Sequence, residues 1–291
     1  MGDAVRPRDN RAALLRSAVA GRLAPARLIG ELAGYDAQGR IALLPGCGGI
    51  ALGVHVGDPV DRWVADHLMP GATAEAEGDP AEPGAFHELA CLGNRVRDRA
   101  GRPLGRVAGK RGGLAPGFMP PNLLAIEAPD ALLATLAPGD PVVLEAEGRG
   151  LALPDLPEVG LCNLSPAALD ALPLRLDGAS LVVAVRAVVP ARIAGAGVGQ
   201  SPWIGDVEIA GTEVLAGSLE GLRFGDLVAF DALDSRVSRF HRPGFVTVGT
   251  VAHGPSPTPG HGPGITVLLS GPAALLRTEI VPEASLAALF A

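Results

Sequence analysis

The chain has 291 residues, 48% of them hydrophobic, and a formal net charge of −7. This hydrophobic fraction excludes a disordered chain, and the negative charge, with no separate basic cluster, argues against a nucleic-acid partner. The three cysteines are widely spaced and form no C-x-x-C pair, so they predict neither a disulfide framework nor a zinc knuckle and favour a reducing cytoplasm. The opening residues do not resemble a signal peptide, and no segment reaches the ~20 apolar residues of a membrane span.

Taken in chain order, the pattern predicts short strands joined by many tight turns. Asn10 precedes a stretch with apolar residues at helical spacing, so we predict an opening surface helix over residues 11–24. Short aliphatic segments bounded by Gly or Pro then predict strands. These segments are GRIALLPG, NLLAIEA, DPVVLEAEG, ASLVVAVRAVV, GDLVAFDAL, GFVTVGTVAHG and GITVLLSG. Helices are predicted at PDALLATLAPG, SPAALDALP and the tail PEASLAALFA.

A proline-rich segment over residues 153–180 is typical of a crossing between two halves of a chain. The regular alternation of strand and helix that marks a doubly wound sheet is missing. We therefore predict a mainly β fold with minor α, built as two barrel-like or sandwich-like lobes in one chain. The predicted lobes are residues 1–175, with the leading helix, and residues 176–291.

Two histidines flank a segment with three prolines, HGPSPTPGH, from His253 to His261. The prolines stiffen this loop, and if the flanking segments are antiparallel strands, both imidazoles reach the same rim. There they could share a metal ion or an anionic group. The alternative is that both rings bond backbone carbonyls and only stiffen the loop.

Carboxylates upstream could supply a third ligand. Asp206 and Glu208 are two residues apart on one face of a predicted strand, and Asp231 lies in the segment AFDALDSR. Paired acids on one face resist sharing a dry site unless a cation or a proton intervenes. The alternative is that these acids face water on a surface strand.

A glycine-rich segment, RIAGAGVGQSPWIGD, contains Gly195, Gly197 and Gly199 and continues into Ser201. Its backbone N–H groups could form a concave nest for a carboxylate, and we assign these four residues to substrate binding. The segment is no dinucleotide fingerprint, because no helix follows the glycines. A simple wide turn is the alternative.

The first half of the chain offers further polar groups. Lys110 and Arg111 lie in a basic stretch that could meet an acidic substrate, Lys110 in a catalytic and Arg111 in a substrate-binding role. Asp66 and His67 are adjacent, so on a strand they point to opposite faces, whereas on a turn both could enter one site. Cys47 has no basic neighbour in sequence that would activate it as a nucleophile.

Seven stretches in order resemble the prokaryotic domain of unknown function 4438 family: LPGCGGI, VGDP, LACLGN, GKRGG, GAGVG, LRFGD and GHGPGITVL. The resemblance runs from about Leu28 to the C-terminus, and it implies a two-lobed, β-rich protein divided near the predicted crossing. It also implies two acids at the positions of Asp206 and Glu208. Where the family pattern has GKHGG, this chain has Arg111 in place of the histidine, which weakens any metal role for that loop.

These residues predict an enzyme, a metal-assisted hydrolase of a small amide or cyclic amide. His253, His261 and Asp206 would hold a divalent ion, zinc or manganese, that activates water, and Glu208, Asp231 and Lys110 are the candidate catalytic residues. No nucleotide or organic cofactor motif is present. The alternative is a non-catalytic binding protein for a small anionic metabolite. Membrane partners are not expected, and a homo-oligomer is compatible with the sequence.

Overall fold

The computed structural model describes residues 5–28, 35–78, 85–113, 122–210 and 219–291. Within these ranges the chain is mainly β with three short α-helices, which confirms the predicted fold class. The helices are α1 (Ala85–Leu89), α2 (Asp130–Leu133) and α3 (Pro166–Ala171). No helix in these ranges is both long and apolar enough to cross a membrane.

Six antiparallel strands of the first half close into a barrel. The strands of this half are β1 (Ser17–Leu23), β2 (Ile50–Ala51), β3 (Gly71–Ala76), β4 (Arg95–Asp98), β5 (Pro103–Arg111), β6 (Leu123–Glu127) and β7 (Pro141–Ala146). Their order is β1-β7-β4-β5-β6-β3-β2, and β1 also pairs with β3, which closes the ring and leaves β2 as an addition to β3. Aliphatic side chains such as Val107, Leu124 and Leu144 fill the interior.

The second half forms two sheets. Its strands are β8 (Gly160–Leu161), β9 (Leu174–Asp177), β10 (Ser180–Val185), β11 (Ala187–Pro190), β12 (Val207–Glu208), β13 (Leu227–Asp234), β14 (Phe240–His253), β15 (Gly264–Pro272) and β16 (Leu276–Ile280). One sheet has the order β16-β10-β9, and the other has the order β11-β13-β14-β15-β12 with β8 paired to β15. Strand β8 lies before the predicted boundary between residues 175 and 176 but pairs with β15 of the second half. The position of the boundary stays a prediction.

Strand β5 of the barrel packs against β14 and β15. The Lys110 N–H donates to Thr266 Oγ1 at 2.9 Å, and the Thr266 hydroxyl donates to the Lys110 carbonyl at 3.2 Å. Gly109 makes the approach possible, because a Cβ there would lie 2.6 Å from Ala252 Cβ. The end of β5 is thereby brought to the end of β14, where His253 lies.

The predicted opening helix is wrong. The chain forms one 3₁₀ turn at Arg11–Ala13 and then strand β1, and the Asn10 side chain caps nothing but bridges Gly150 and Ala152 instead. Pairing with β7 along six residues outweighs the local helical spacing, since tertiary contacts override propensity.

Two smaller expectations also differ from the structure. The segment GRIALLPG contributes one isolated bridge, Tyr35 to Ile41, and the C-terminal tail forms a 3₁₀ turn at Ala287–Leu289 instead of an α-helix. Both segments are short and rim the sheets, where few partners hold an extended or helical conformation.

Candidate metal centre

Three neighbouring strands place His253 and Glu208 on either side of a glycine. On β15, Gly264 pairs with His253 of β14 and with Glu208 of β12, so the three residues form one row across the sheet. A Cβ on Gly264 would overlap the His253 ring and lie 2.5 Å from Asp206 Oδ2. The His253 imidazole and the carboxylates of Asp206 and Glu208 therefore meet in the space that a side chain at position 264 would fill.

The four residues that the sequence pattern singled out lie in contact. His253 Nε2 lies 2.9 Å from Asp206 Oδ2 and 4.0 Å from Glu208 Oε1, and His261 Nδ1 lies 2.7 Å from Glu208 Oε2. His253, Asp206 and Glu208 are buried, whereas the His261 side chain is 32% exposed and forms the solvent edge of the group. The proline-stiffened loop thus aims both rings at one carboxylate, as the antiparallel pairing of β14 and β15 predicts.

A fifth residue, His67, joins them from the first half of the chain. Its Nε2 lies 3.2 Å from Glu208 Oε1, and its ring centroid lies 5.1 Å from that of His253 and 5.6 Å from that of His261. His67 has a φ of +51°, outside any strand, and Asp66 Oδ1 lies 2.6 Å from its Nδ1. The turn geometry that the sequence left open for this pair is the one that the structure shows.

Hydrogen bonds fix the protonated nitrogen in two of these rings. His253 Nδ1 lies 2.7 Å from the Gly254 carbonyl, which can only accept, so Nδ1 carries the proton. His67 Nδ1 likewise faces Asp66. In the neutral rings, each Nε2 then points a lone pair at a carboxylate oxygen, an arrangement that is repulsive unless a cation or a further proton lies between them.

Burial and neighbouring groups act in opposite directions on the acids of the site. Burial acts to raise the pKa of Glu208, but the contacts with His261 and His67 hold it well below its usual range. Burial likewise acts to raise the pKa of Asp66, and the hydrogen bond with His67 outweighs it, so this pKa is also lowered. The hydrogen bond to Glu208 raises the pKa of His261. Glu208 and Asp66 are therefore ionised at neutral pH.

The five residues offer ligand atoms at the spacing of a metal centre. Two triads, His67–Glu208–His261 and Asp206–Glu208–His253, each have ligand atoms within 4.8 Å of one another, and Glu208 belongs to both. Ligands about 2.1 Å from one ion lie roughly 3 Å apart at neighbouring positions. The contacts of 2.7, 2.9 and 3.2 Å match this spacing. Asp66 and the Gly254 carbonyl orient the rings from behind, as the outer partners of metal-binding histidines do.

Asp231 and Lys110, two of the predicted catalytic residues, lie outside these triads. Asp231 is exposed on β13. Lys110 is fully buried, its Nζ donates to the Trp203 carbonyl at 3.1 Å, and burial lowers its pKa to about 8. The residue that follows this strand still contributes to the site, because the Gly112 N–H donates to Asp206 Oδ1 at 3.1 Å.

The glycine-rich segment surrounds a buried guanidinium instead of an open nest. Arg239 Nη1 donates to the carbonyls of Gly197 and Asp206, at 2.8 and 2.6 Å. Its Nη2 donates to the carbonyls of Ser201 and Ile204.

Two donors of the predicted substrate-binding nest are used within the protein. The N–H of Gly195 donates to the Glu208 carbonyl and that of Gly199 to the Arg239 carbonyl, so neither donor is free for a ligand. The Ser201 hydroxyl oxygen accepts from the Trp203 N–H. The segment instead holds the backbone that leads into Asp206 and Glu208, a role that no local pattern indicates, because Arg239 follows 31 residues after Glu208.

Arg111 and Cys47 form a buried pair near the cluster. Arg111 is 3% exposed, and its Nη1 donates to Cys47 Sγ at 3.2 Å. Cys47 therefore has a basic neighbour in the folded structure, although none is adjacent to it in the sequence. Burial nevertheless raises the pKa of the Cys47 thiol, and the Arg111 charge offsets only part of that effect. Cys47 is therefore a neutral thiol at neutral pH and no activated nucleophile.

Comparison with known proteins assigns most of the chain to a family. The model for the N-terminal domain of unknown function DUF4438 matches residues 34–170, and the model for its C-terminal domain matches residues 171–290. The fold is similar to the crystal structure of TM1086, with a TM-score of 0.88 and 30% sequence identity over 98% of this chain and 99% of that chain. No curated protein matches the sequence.

Proposed function

The chain belongs to the DUF4438 family, and from the geometry of its cluster we propose that it is a metal-dependent hydrolase of a small polar substrate, an amide or cyclic amide. The observation that carries this proposal is the pair of imidazole Nε2 atoms, on His67 and His253, that face carboxylate oxygens while their Nδ1 protons are used elsewhere. A divalent cation bound to both rings would take up both lone pairs, and its positive charge would remove the repulsion from the carboxylates.

The ligand set follows from the distances. Glu208 lies within 4.0 Å of a nitrogen of all three imidazoles, so we assign His67, His253, His261 and Glu208 as ligands. Asp206 reaches only one of these rings, and the Gly112 N–H orients its other oxygen. Asp206 is then the carboxylate that accepts a proton, which exchanges the roles that the sequence pattern indicated for Asp206 and Glu208.

Hydrolysis of an amide needs few groups beyond these. A divalent ion held by these residues would supply a water of lowered pKa. Asp206 takes the proton of the attacking water as the new C–O bond forms, and returns it to the leaving nitrogen as the C–N bond breaks. The substrate enters past His261, the partly exposed member of the cluster. Imidazole and carboxylate ligands suit zinc or manganese.

Metal content of the untagged protein tests the proposal. We expect near-stoichiometric zinc or manganese by elemental analysis, with loss of the metal in Glu208→Gln and in His253→Ala. His241→Ala is the matched control, because His241 is an exposed imidazole on the same strand, β14, and we expect it to retain the metal. The wild type should also release ammonia or open the ring of at least one compound in a panel of amides and cyclic amides.

A negative result is equally clear. A protein that binds no metal and whose melting temperature is unchanged by added zinc or manganese contradicts the metal centre, since a bound ion stabilises the folded state by mass action. A metal-loaded protein that hydrolyses none of the panel would instead favour the binding-protein alternative.

A further inference from the structure

Arg111 is a buried cation with too few acceptors. A guanidinium carries five N–H donors, and among the described residues the Arg111 guanidinium has one hydrogen-bond partner, the Sγ atom of Cys47 at 3.2 Å. Its Nε is buried with no partner in that part of the chain. A thiol is a weak acceptor, and a buried charge without strong partners is costly to the fold. Within the part of the chain that the structure describes, no anionic group therefore matches this guanidinium.

The carboxylates of the cluster do not fill that role. No oxygen of Asp66, Asp206 or Glu208 forms an ion pair with Arg111 within the described ranges, although the Arg111 charge acts on both Asp66 and His261. The guanidinium thus lies within electrostatic reach of the metal-centre residues but is bonded to none of their carboxylates.

The charges of the cluster balance when one divalent ion is bound. With neutral imidazoles, the three carboxylates and Arg111 sum to −2, which one divalent ion neutralises. In that state the carboxylates are directed to the ion and to the imidazoles, and the guanidinium remains the group with unused donors.

We propose that Arg111 is the binding subsite for a carboxylate of the substrate, so that the substrate class is a small amide or cyclic amide that also bears a carboxylate group. This inference rests on the proposed function, because it takes the scissile amide to lie at the metal centre. The planar fork of Arg111 matches a planar carboxylate through two parallel hydrogen bonds. Cys47 takes up a hydrogen bond from Nη1, so the Nε and Nη2 donors are left for the carboxylate.

The test compares two compounds of nearly the same shape, succinamate, which carries one amide and one carboxylate, and the neutral succinamide. Calorimetric titration of the wild type is expected to show succinamate bound at least about tenfold more tightly, the usual size of a charge-assisted hydrogen-bonded pair. Arg111→Met should abolish this preference, whereas Arg111→Lys, which keeps the charge without the fork, should retain part of it. Inorganic phosphate is titrated in parallel, and binding as tight as that of succinamate would overturn the carboxylate assignment.

Each titration is run with and without added zinc, and the metal content is measured for every variant. A protein that binds no zinc contradicts the proposed function, while the preference between the two compounds still decides the subsite. Equal binding of both compounds, no measurable binding of either, or a preference that survives in Arg111→Met overturns the proposal. If Arg111→Met does not fold, the lysine variant decides, because an undiminished preference there contradicts the bidentate subsite.

Discussion

Substitution of Gly264 by alanine tests the metal centre with one added methyl group. The Cβ of the new residue would overlap the His253 ring and lie 2.5 Å from Asp206 Oδ2. An ordinary contact of this kind is about 3.5 Å, so the Asp206 oxygen must retreat by about 1 Å and the imidazole by more. Metal sites tolerate deviations of roughly 0.2 Å in ligand distance. The displacement is therefore several times larger than the centre can absorb.

The His253 imidazole cannot move aside without losing a hydrogen bond. His253 is fully buried, and its Nδ1 is bonded to the Gly254 carbonyl, so a swing of the ring breaks that bond. We expect Gly264→Ala to lower the affinity for zinc or manganese by about 100-fold or more, a loss at least as large as that caused by disturbing an outer partner of a metal ligand. Overpacking should also reduce the free energy of unfolding of the metal-free protein by about 1–3 kcal/mol.

Gly271→Ala is the control on the same strand. A Cβ at Gly271 would lie 3.3 Å from Val159, a contact that a small shift relieves, and Gly271 touches none of the five cluster residues. We expect it to bind metal as the wild type does. Elemental analysis and metal-dependent melting curves make the comparison, and metal binding by Gly264→Ala at wild-type affinity would refute the reasoning that Gly264 makes room for the centre.

Three further predictions follow from buried groups around the site. Arg239→Met removes four charge-assisted hydrogen bonds to backbone carbonyls, so at about 1 kcal/mol each we expect a loss of roughly 4 kcal/mol in urea unfolding. A loss below about 1 kcal/mol would contradict this. Burial lowers the pKa of Lys110 to about 8 from the 10.5 of an exposed lysine, so the unfolded chain binds more protons between these pH values. Wild-type stability relative to Lys110→Met should therefore rise by about 3 kcal/mol from pH 8 to pH 10.5. A parallel pair of stability curves would speak against it. Gly197 and Gly199 both have positive φ, but only a Cβ at Gly197 meets the Asp206 carbonyl. Gly197→Ala should therefore reduce the affinity for metal, whereas Gly199→Ala should reduce only the free energy of unfolding, by about 1 kcal/mol. Equal loss of metal in both variants would show that backbone strain alone is responsible.

Much of the candidate site could be predicted from local patterns in the sequence. Alternating spacing placed Asp206 and Glu208 on one face, and the proline-stiffened loop between His253 and His261 follows an antiparallel pair of strands as its flanking segments predict. These features depend on periods and turns of a few residues, which the sequence encodes directly. The mainly β fold class follows for the same reason, since short aliphatic segments between Gly and Pro are typical of strands.

Contacts between distant segments were decided by the tertiary structure alone. His67 joins Glu208 from 141 residues earlier in the sequence, and no spacing rule connects the two. The glycine-rich segment is predicted as a nest from its sequence, but in the structure it surrounds the Arg239 guanidinium. Residues 17–23 have helical spacing, but in the structure they pair with β7. The physical reason is the same in each case: strand register and the partners of buried polar groups depend on packing across the whole chain, and that packing is not written in any local stretch of residues.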